Sequence, residues 1–190
     1  MIKLTPDMVS RLWWRMLLNH PVVKVVAKGD SELMRNVGAF LSAVGIMNAR
    51  DFMQRYATTI ATTIYLPFVP GVETEEHSLL SQASTCPHEF RHTVQYRRAP
   101  VTFLWGYTSS SMKRAMYEAD CYAHNMELRH WLTGERPDPA GCADNLKAYA
   151  CNASSRAAAR AYLESVAPTI MGGGISRTIV KEAVAILSEQ

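Results

Sequence analysis

The sequence has few cysteines, no long apolar run and little excess charge, and each shortage excludes a class of protein. Its four cysteines are irregularly spaced and form no Cys-x-x-Cys pair, which argues against a disulfide scaffold and a structural zinc ribbon. No stretch approaches the ~18 apolar residues of a membrane span, and Arg11 and Arg15 interrupt the apolar stretch near the N-terminus that a signal peptide would keep continuous. We therefore expect a cytoplasmic protein, virion-associated if a phage encodes it.

The net charge does not indicate a binding partner either. Lysine and arginine number 20 against 17 aspartates and glutamates, so the formal net charge is only +3. The remaining composition, 48% hydrophobic and 19% charged residues in a chain of 190, is typical of a globular protein. This length predicts a single domain over residues 1–190 with a real hydrophobic core.

Helical signals dominate the chain, so the expected fold class is α+β and mostly helical. Caps, apolar spacing and breakers predict helices over residues 6–19, 30–43, 49–56, 112–132, 140–150, 154–166 and 176–188. Another helical pattern builds through Leu79 and Leu80, and we expect it to restart at Pro87. Residues 58–66 are dense in β-branched side chains and predict one strand, whereas residues 22–26 fit either a strand or a helical turn.

The clearest chemical signal is a His-Glu-x-x-His motif formed by His88, Glu89 and His92. Side chains four residues apart lie on one face of a helix, so both imidazoles can bind one zinc ion. Glu89 lies beside that row and is free to deprotonate a metal-bound water as general base. The alternative is that both histidines are ordinary helix residues. Cys86 could add a thiolate, but a small buried residue fits its position better.

A catalytic zinc ion takes a third protein ligand, and the sequence offers two candidates. Gln95 and Arg98 occupy the positions where a metzincin has glycine and histidine, which excludes that class. Further along, Glu118 and Asp120 point about 200 degrees apart on the long helix, so only one can face the metal. We choose Glu118. Asp120 either accepts a hydrogen bond from a ligand imidazole or is a simple surface carboxylate.

Two segments carry a family resemblance: residues 88–95 read HExxHxxQ and residues 118–123 read E-A-D-x-x-A. Over about residues 50–132 the chain resembles small gluzincin-type zinc metallopeptidases and is similar to phage-encoded metallopeptidases of unassigned substrate. The resemblance implies a zincin-like (minigluzincin-like) core with a short β-sheet, and it leaves helical flanks at residues 1–49 and 133–190. It also implies Zn²⁺ held by His88, His92 and Glu118, water activated by Glu89, and an edge strand that aligns an extended peptide.

The family's oxyanion-stabilising Tyr or His has no clear counterpart here. Candidates for this role are Tyr96, Tyr107, Tyr122, His77 and His124, and we choose Tyr107. Tyr107 belongs to an aromatic cluster with Phe103 and Trp105, which fits a substrate wall or a short strand with one buried side.

The function we expect is a zinc-dependent hydrolase, most simply a peptidase that cleaves an amide bond in a peptide or peptidoglycan stem. The alternative is a non-catalytic virion, assembly or interaction protein that retains the metal-binding fold. The adjacent Trp13 and Trp14 support that alternative, since they cannot share one buried helix face. A third hypothesis, nucleic-acid binding, is weaker and depends on a basic rim formed by Arg91, Arg97, Arg98, Lys113 and Arg114.

Overall fold

The structure, a computed structural model, describes residues 2–43 and 48–189. Within these residues the chain forms nine α-helices and one three-stranded sheet, so the predicted mostly helical α+β class is confirmed. The helices are α1 (Pro6–Asn19), α2 (Glu32–Ala43), α3 (Ala49–Arg55), α4 (Leu79–Arg98), α5 (Pro100–Ser109), α6 (Ser111–Thr133), α7 (Pro139–Asn145), α8 (Ala153–Met171) and α9 (Thr178–Ser188). The strands are β1 (Lys24–Ala27), β2 (Thr58–Ile60) and β3 (Thr63–Leu66), and 3-10 turns cover Lys28–Asp30 and Leu146–Tyr149.

Local capping signals place several helix ends correctly. The Thr5 side chain accepts a hydrogen bond from the Met8 amide, and Pro6 occupies the first turn of α1. Ser110 caps α6 in the same way, and Gly134 ends that helix in the left-handed conformation with φ of 74°. Towards the C-terminus the predicted ends are less accurate, because α7 changes to a 3-10 turn after Asn145 and α8 continues through Pro168.

The predicted single strand over residues 58–66 is wrong, because the chain reverses within it. β2 and β3 form an antiparallel hairpin in which Ile60 pairs with Thr63, and β1 lies parallel to β3 on its other side. The reversal uses Ala61 at φ of 56°, a left-handed conformation for which glycine or asparagine is the usual signal. Alanine gives no such signal, so β-propensity alone predicted one continuous strand. β2 is left at the edge of the sheet, and the undecided segment near residue 24 is a strand.

The predicted restart at Pro87 is also wrong, since α4 runs unbroken through the proline. Pro87 has no amide hydrogen, so the carbonyl of Ala83 loses its partner within the helix. Side chains on both sides of the proline are buried, including those of Ala83, Cys86 and Phe90. Packing against the core therefore holds the helix together where its hydrogen bonding is interrupted. Cys86 is one of these core residues, as its position in the sequence predicts.

The aromatic cluster lies on helix α5, so the alternative of a short strand is wrong. Pro100 stands at the first position of this helix, where proline is favoured. Phe103 and Tyr107 are four residues apart and share the inner face, whereas Trp105 points outward with 70% of its surface exposed. The alternation of aromatic residues therefore reflects two faces of a helix.

Two hydrophobic clusters share helix α6. The larger cluster joins α1, α4, α6, α9 and the sheet, and the second joins α6 to α8 and the 3-10 turn before it. Trp13 is buried in the first cluster, whereas Trp14 is 62% exposed, as their adjacent positions require. Among the described helices, none combines the length and the apolar character needed to cross a membrane.

Candidate metal centre

His88, His92 and Glu118 converge in the buried space between α4 and α6. Nε2 of His88 lies 3.4 Å from Oε2 of Glu118, and Nε2 of His92 lies 3.3 Å from Oε1. Glu118 is fully buried, and each histidine exposes less than a tenth of its surface. The one-turn spacing of the histidines on α4 and the inward face of α6 bring together the three residues that the sequence predicts as ligands.

These separations suit a tetrahedral metal site. With zinc–nitrogen and zinc–oxygen bonds of about 2.0–2.1 Å, two ligand atoms at corners of a tetrahedron are about 3.3 Å apart. Each contact between imidazole and carboxylate is close to that spacing, and the two contacts involve different oxygens of Glu118. In addition, the buried Oε2 of Glu118 has no hydrogen-bond partner among the described residues. An unpartnered buried carboxylate oxygen is costly, and a bound cation would compensate it.

Cys121 offers a different third ligand. Ligand atoms of His88, His92 and Cys121 lie within 4.8 Å of one another, and this buried cluster can hold a metal ion. The sulfur of Cys121, however, lies 3.5 Å from Nδ1 of His92, on the side of the ring opposite Glu118. Burial raises the pKa of the Cys121 thiol to about 12, which disfavours the thiolate that a metal ion requires.

The charge of Glu118 is maintained by its neighbours. Burial alone would raise the pKa of this carboxyl, but the imidazoles of His92 and His88 outweigh burial and hold the pKa well below its usual range. Glu118 is therefore ionised at neutral pH in spite of complete burial. A full negative charge beside two imidazole nitrogens is the donor set that a divalent transition metal prefers.

His92 is oriented by a chain of polar side chains that reaches the protein surface. Nδ1 of His92 donates to Oε1 of Gln95 over 3.0 Å, and Nε2 of Gln95 donates to Oδ2 of Asp120 over 2.9 Å. Arg91 donates to the same Asp120 oxygen over 2.6 Å, and it helps to lower the pKa of that carboxyl against the effect of burial. A proton fixed on Nδ1 leaves the lone pair of Nε2 free for a metal. Asp120 thus supports a ligand imidazole through Gln95.

Glu89 lies beside the ligand pair and has a single hydrogen bond from a described residue. Thr59 Oγ1, on the edge strand β2, donates to Oε2 of Glu89 over 2.6 Å. The strand is positioned in turn by the buried ammonium of Lys28, which donates to the carbonyls of Phe52 and Tyr56 and to Thr58 Oγ1, each over 2.7–2.8 Å. Burial lowers the pKa of Lys28 to about 7, despite the opposing charge of Glu89. This arrangement directs one oxygen of Glu89 to Thr59, and the other oxygen accepts no hydrogen bond from the residues that the structure describes.

Tyr107 lies in the site but faces a ligand. Its hydroxyl donates to Oε1 of Glu118 over 2.5 Å. A small cavity of about 110 Å³ that contains His88 and Glu89 is lined by Tyr56 and by two further tyrosines, Tyr122 and Tyr149. Burial raises the pKa of both, so each keeps its hydroxyl proton and can donate it in a hydrogen bond.

The C-terminal flank therefore contributes to the site. Arg114 connects it to α5, because its guanidinium donates to the carbonyls of Tyr107 over 2.6 Å and Tyr149 over 2.7 Å. Arg114 and Arg91 are both engaged in such internal contacts, so the basic rim predicted from the sequence loses two of its five members.

Sequence reasoning missed several residues of this site. Gln95 was visible in the HExxHxxQ pattern, but its role depends on the placement of α6 against α4. No local signal marked Thr59, Cys121 or Tyr149. Thr59 bonds Glu89 over a separation of 30 residues, Cys121 contacts His92 over 29, and Tyr149 meets Glu89 only at the small cavity.

Comparison with known proteins gives no relative: no protein-family model, no curated protein and no solved structure matches the chain. Its function must therefore be argued from the site itself.

Proposed function

We propose that this protein is a zinc-dependent hydrolase, a peptidase with a zincin-like core of the small gluzincin type. The observation that carries the proposal is the convergence of His88, His92 and Glu118 at 3.3–3.4 Å, with Glu89 beside them at an open cavity. Two histidines and a glutamate are a ligand set that catalytic zinc uses in peptidases, and this set leaves one coordination position for solvent.

His88, His92 and Glu118 would hold the zinc ion, and Gln95 would keep His92 in the tautomer that binds it. When bound, zinc supplies Lewis-acid chemistry, because it makes a coordinated water more acidic and polarises a carbonyl group. Cys121 is the less suitable ligand, since it lies behind the His92 ring and its thiol is held protonated by burial.

Glu89 is the proposed general base. Its carboxylate takes a proton from the attacking water and later gives a proton to the leaving amine, while the hydrogen bond from Thr59 fixes its orientation. Among the tyrosines that line the cavity, burial raises the pKa of Tyr149 and Tyr122 and keeps their hydroxyls protonated, so we assign oxyanion stabilisation to this pair, with Tyr149 as the first candidate. The sequence favours Tyr107 for this role, but its hydroxyl is directed at Glu118.

The proposal is tested by zinc content and turnover in matched variants. Zinc-loaded wild type should cleave peptides in a random peptide mixture or in peptidoglycan stems, and Glu89→Gln should keep zinc and lose turnover. Both His92→Ala and Glu118→Ala should lose zinc, whereas Cys121→Ser should retain it.

Two results would contradict this assignment. If Cys121→Ser loses zinc and Glu118→Ala retains it, the third ligand is Cys121 and not Glu118. A zinc-loaded wild type that cleaves none of these substrates would favour the alternative of a non-catalytic assembly or interaction protein.

A further inference from the structure

A second, larger cavity lies next to the candidate metal centre. Its volume is about 580 Å³, and it is bounded by the first turns of α4, the second half of α6, the segment 134–138 and α7. This volume falls within the range of about 300–1,000 Å³ that is typical of ligand sites. The cavity has room for more than one amino-acid side chain.

The larger cavity adjoins the small cavity of the site. Thr85, Tyr122 and Asn125 line both it and the small cavity that contains His88 and Glu89. At this junction the side-chain oxygen of Asn125 is buried and has no hydrogen-bond partner among the described residues. A peptide bound at His88 and Glu89 would therefore extend past Asn125 into the larger cavity, where its amide hydrogens could satisfy that oxygen.

The charged groups of the larger cavity favour a negatively charged ligand. Its two carboxylates already have partners: Oε2 of Glu135 lies 3.4 Å from Nη2 of Arg129, and Oδ1 of Asp138 accepts a hydrogen bond from the Gly141 amide. The carboxylate of Asp138 also lies so close to Gly141 that a Cβ there would meet it at 2.1 Å. Asp138 is thus held against the backbone of α7.

Arg136 is the charged residue of the larger cavity that is available to a ligand. It lines the cavity, is exposed, and forms no ion pair within the part of the chain that the structure describes. Arg129 is held only by a surface pair, with side chains 43% and 63% exposed, and such pairs contribute little. Both guanidiniums can therefore bind a carboxylate, and arginine does so through two parallel hydrogen bonds.

We infer that the larger cavity is a substrate subsite that selects peptides carrying an aspartate or glutamate side chain, with Arg136 and Arg129 as its receptors. This inference rests on the proposed peptidase function and specifies the substrate of the same site. The expected preference for an acidic residue over its amide counterpart is about fivefold, in keeping with exposed ion pairs, and it should weaken as salt is added.

The test uses a random peptide mixture and zinc-loaded protein. Mass spectrometry of the products should show Asp and Glu enriched about fivefold at one position on one side of the cleaved bond. Arg136→Glu should abolish the enrichment. Arg98→Glu is the matched control, because it makes the same charge change at a position about 20 Å along α4 from Thr85, which lines the cavity. This variant should leave the preference intact.

A binding experiment separates this inference from the proposed function. The zinc-loaded Glu89→Gln protein, immobilised, should retain acidic peptides from the same mixture, and the additional change Arg136→Glu should remove that retention. Cleavage without acidic enrichment would overturn the subsite and leave the peptidase proposal standing. Absence of any cleavage, together with acidic retention that depends on Arg136, would overturn the peptidase proposal and leave a binding site for acidic peptides. Retention that Arg136→Glu does not change would overturn the subsite in either case.

Discussion

The side-chain oxygen of Gln95 lies 3.0 Å from Nδ1 of His92 and fixes which nitrogen of that imidazole faces Glu118. The opposite end of the Gln95 amide donates to Asp120 and to the Tyr117 carbonyl, so the amide cannot turn over without losing these bonds. The tautomer of His92 is therefore determined by a residue on its own helix and two on α6.

This relationship predicts that Gln95→Leu weakens zinc binding roughly 10- to 100-fold, because the acceptor that orients His92 is lost. The dissociation constant can be measured by competition with a chelator of known affinity. Gln54→Leu removes an exposed glutamine whose side chain accepts a hydrogen bond from Arg50, and it serves as the control. Unchanged affinity in Gln95→Leu would contradict the role.

Removing the hydrogen bond from Thr59 to Glu89 should lower turnover without loss of metal. Thr59→Val keeps the β-branched shape that suits strand β2 but removes the hydrogen bond to Glu89. Since a hydrogen bond to a charged group contributes about 1.5–3 kcal/mol, kcat should fall roughly 10- to 100-fold. Thr59→Ser should restore most of kcat, and zinc content should be equal in all three proteins. An equal kcat for the valine and serine variants would exclude Thr59 as a positioning residue.

The tyrosines predict two separable effects. Tyr149→Phe should lower kcat by about 100-fold, as expected for loss of an oxyanion donor, with zinc affinity unchanged. Tyr107→Phe should instead weaken zinc binding by about tenfold, because its hydroxyl holds Glu118. Steady-state kinetics and zinc titration of both variants check this division. If the two effects were exchanged, Tyr107 would be the oxyanion donor, as the sequence alone suggests.

The lowered pKa of Lys28 predicts that the free energy of unfolding depends on pH. Its pKa is about 7 in the folded protein against a usual 10.5, so between these values the unfolded chain binds more protons and the free energy of unfolding rises with pH. Relative to Lys28→Met, the wild type should gain up to roughly 1.4 kcal/mol per pH unit over this window. Urea denaturation of the metal-free proteins from pH 7 to pH 10 measures the difference. Lys24→Met, at an exposed position of β1, should show no such gain, and a flat difference for Lys28→Met would contradict the prediction.

Replacing each of the adjacent tryptophans should change the free energy of unfolding by very different amounts. Trp13→Ala should reduce the free energy of unfolding by about 3–5 kcal/mol, because Trp13 packs against Phe68 and Phe90 in the larger core. Trp14→Ala, at an exposed position, should change it by no more than about 0.5 kcal/mol. Chemical denaturation of both variants distinguishes them, and similar losses would show that Trp14 also stabilises the fold.

Local signals predicted the features that depend on neighbouring residues. Thr5 and Ser110 marked helix starts, Gly134 marked a helix end, and the spacing of His88 and His92 predicted their shared face. Of the two acidic residues weighed as the third ligand, Glu118 lies beside the imidazoles, whereas Asp120 accepts hydrogen bonds from Arg91 and Gln95.

Features that depend on tertiary packing could not be predicted in this way. Core packing carries α4 through Pro87 against its local tendency to end there, and the turn at Ala61 uses a backbone conformation that alanine does not signal. Likewise, no local pattern connects Tyr149 to Glu89, since sixty residues separate them. The last third of the chain contributes to the two cavities only because α7 and the 3-10 turn Leu146–Tyr149 pack beside α6.

The hydrogen bonds from Arg114 to the Tyr107 and Tyr149 carbonyls join the candidate metal centre to the C-terminal region. Shortening the chain at the segment 134–138, or replacing the C-terminal region with that of another protein, would keep His88, His92, Glu118 and Glu89 yet remove Tyr149 from the wall of the small cavity.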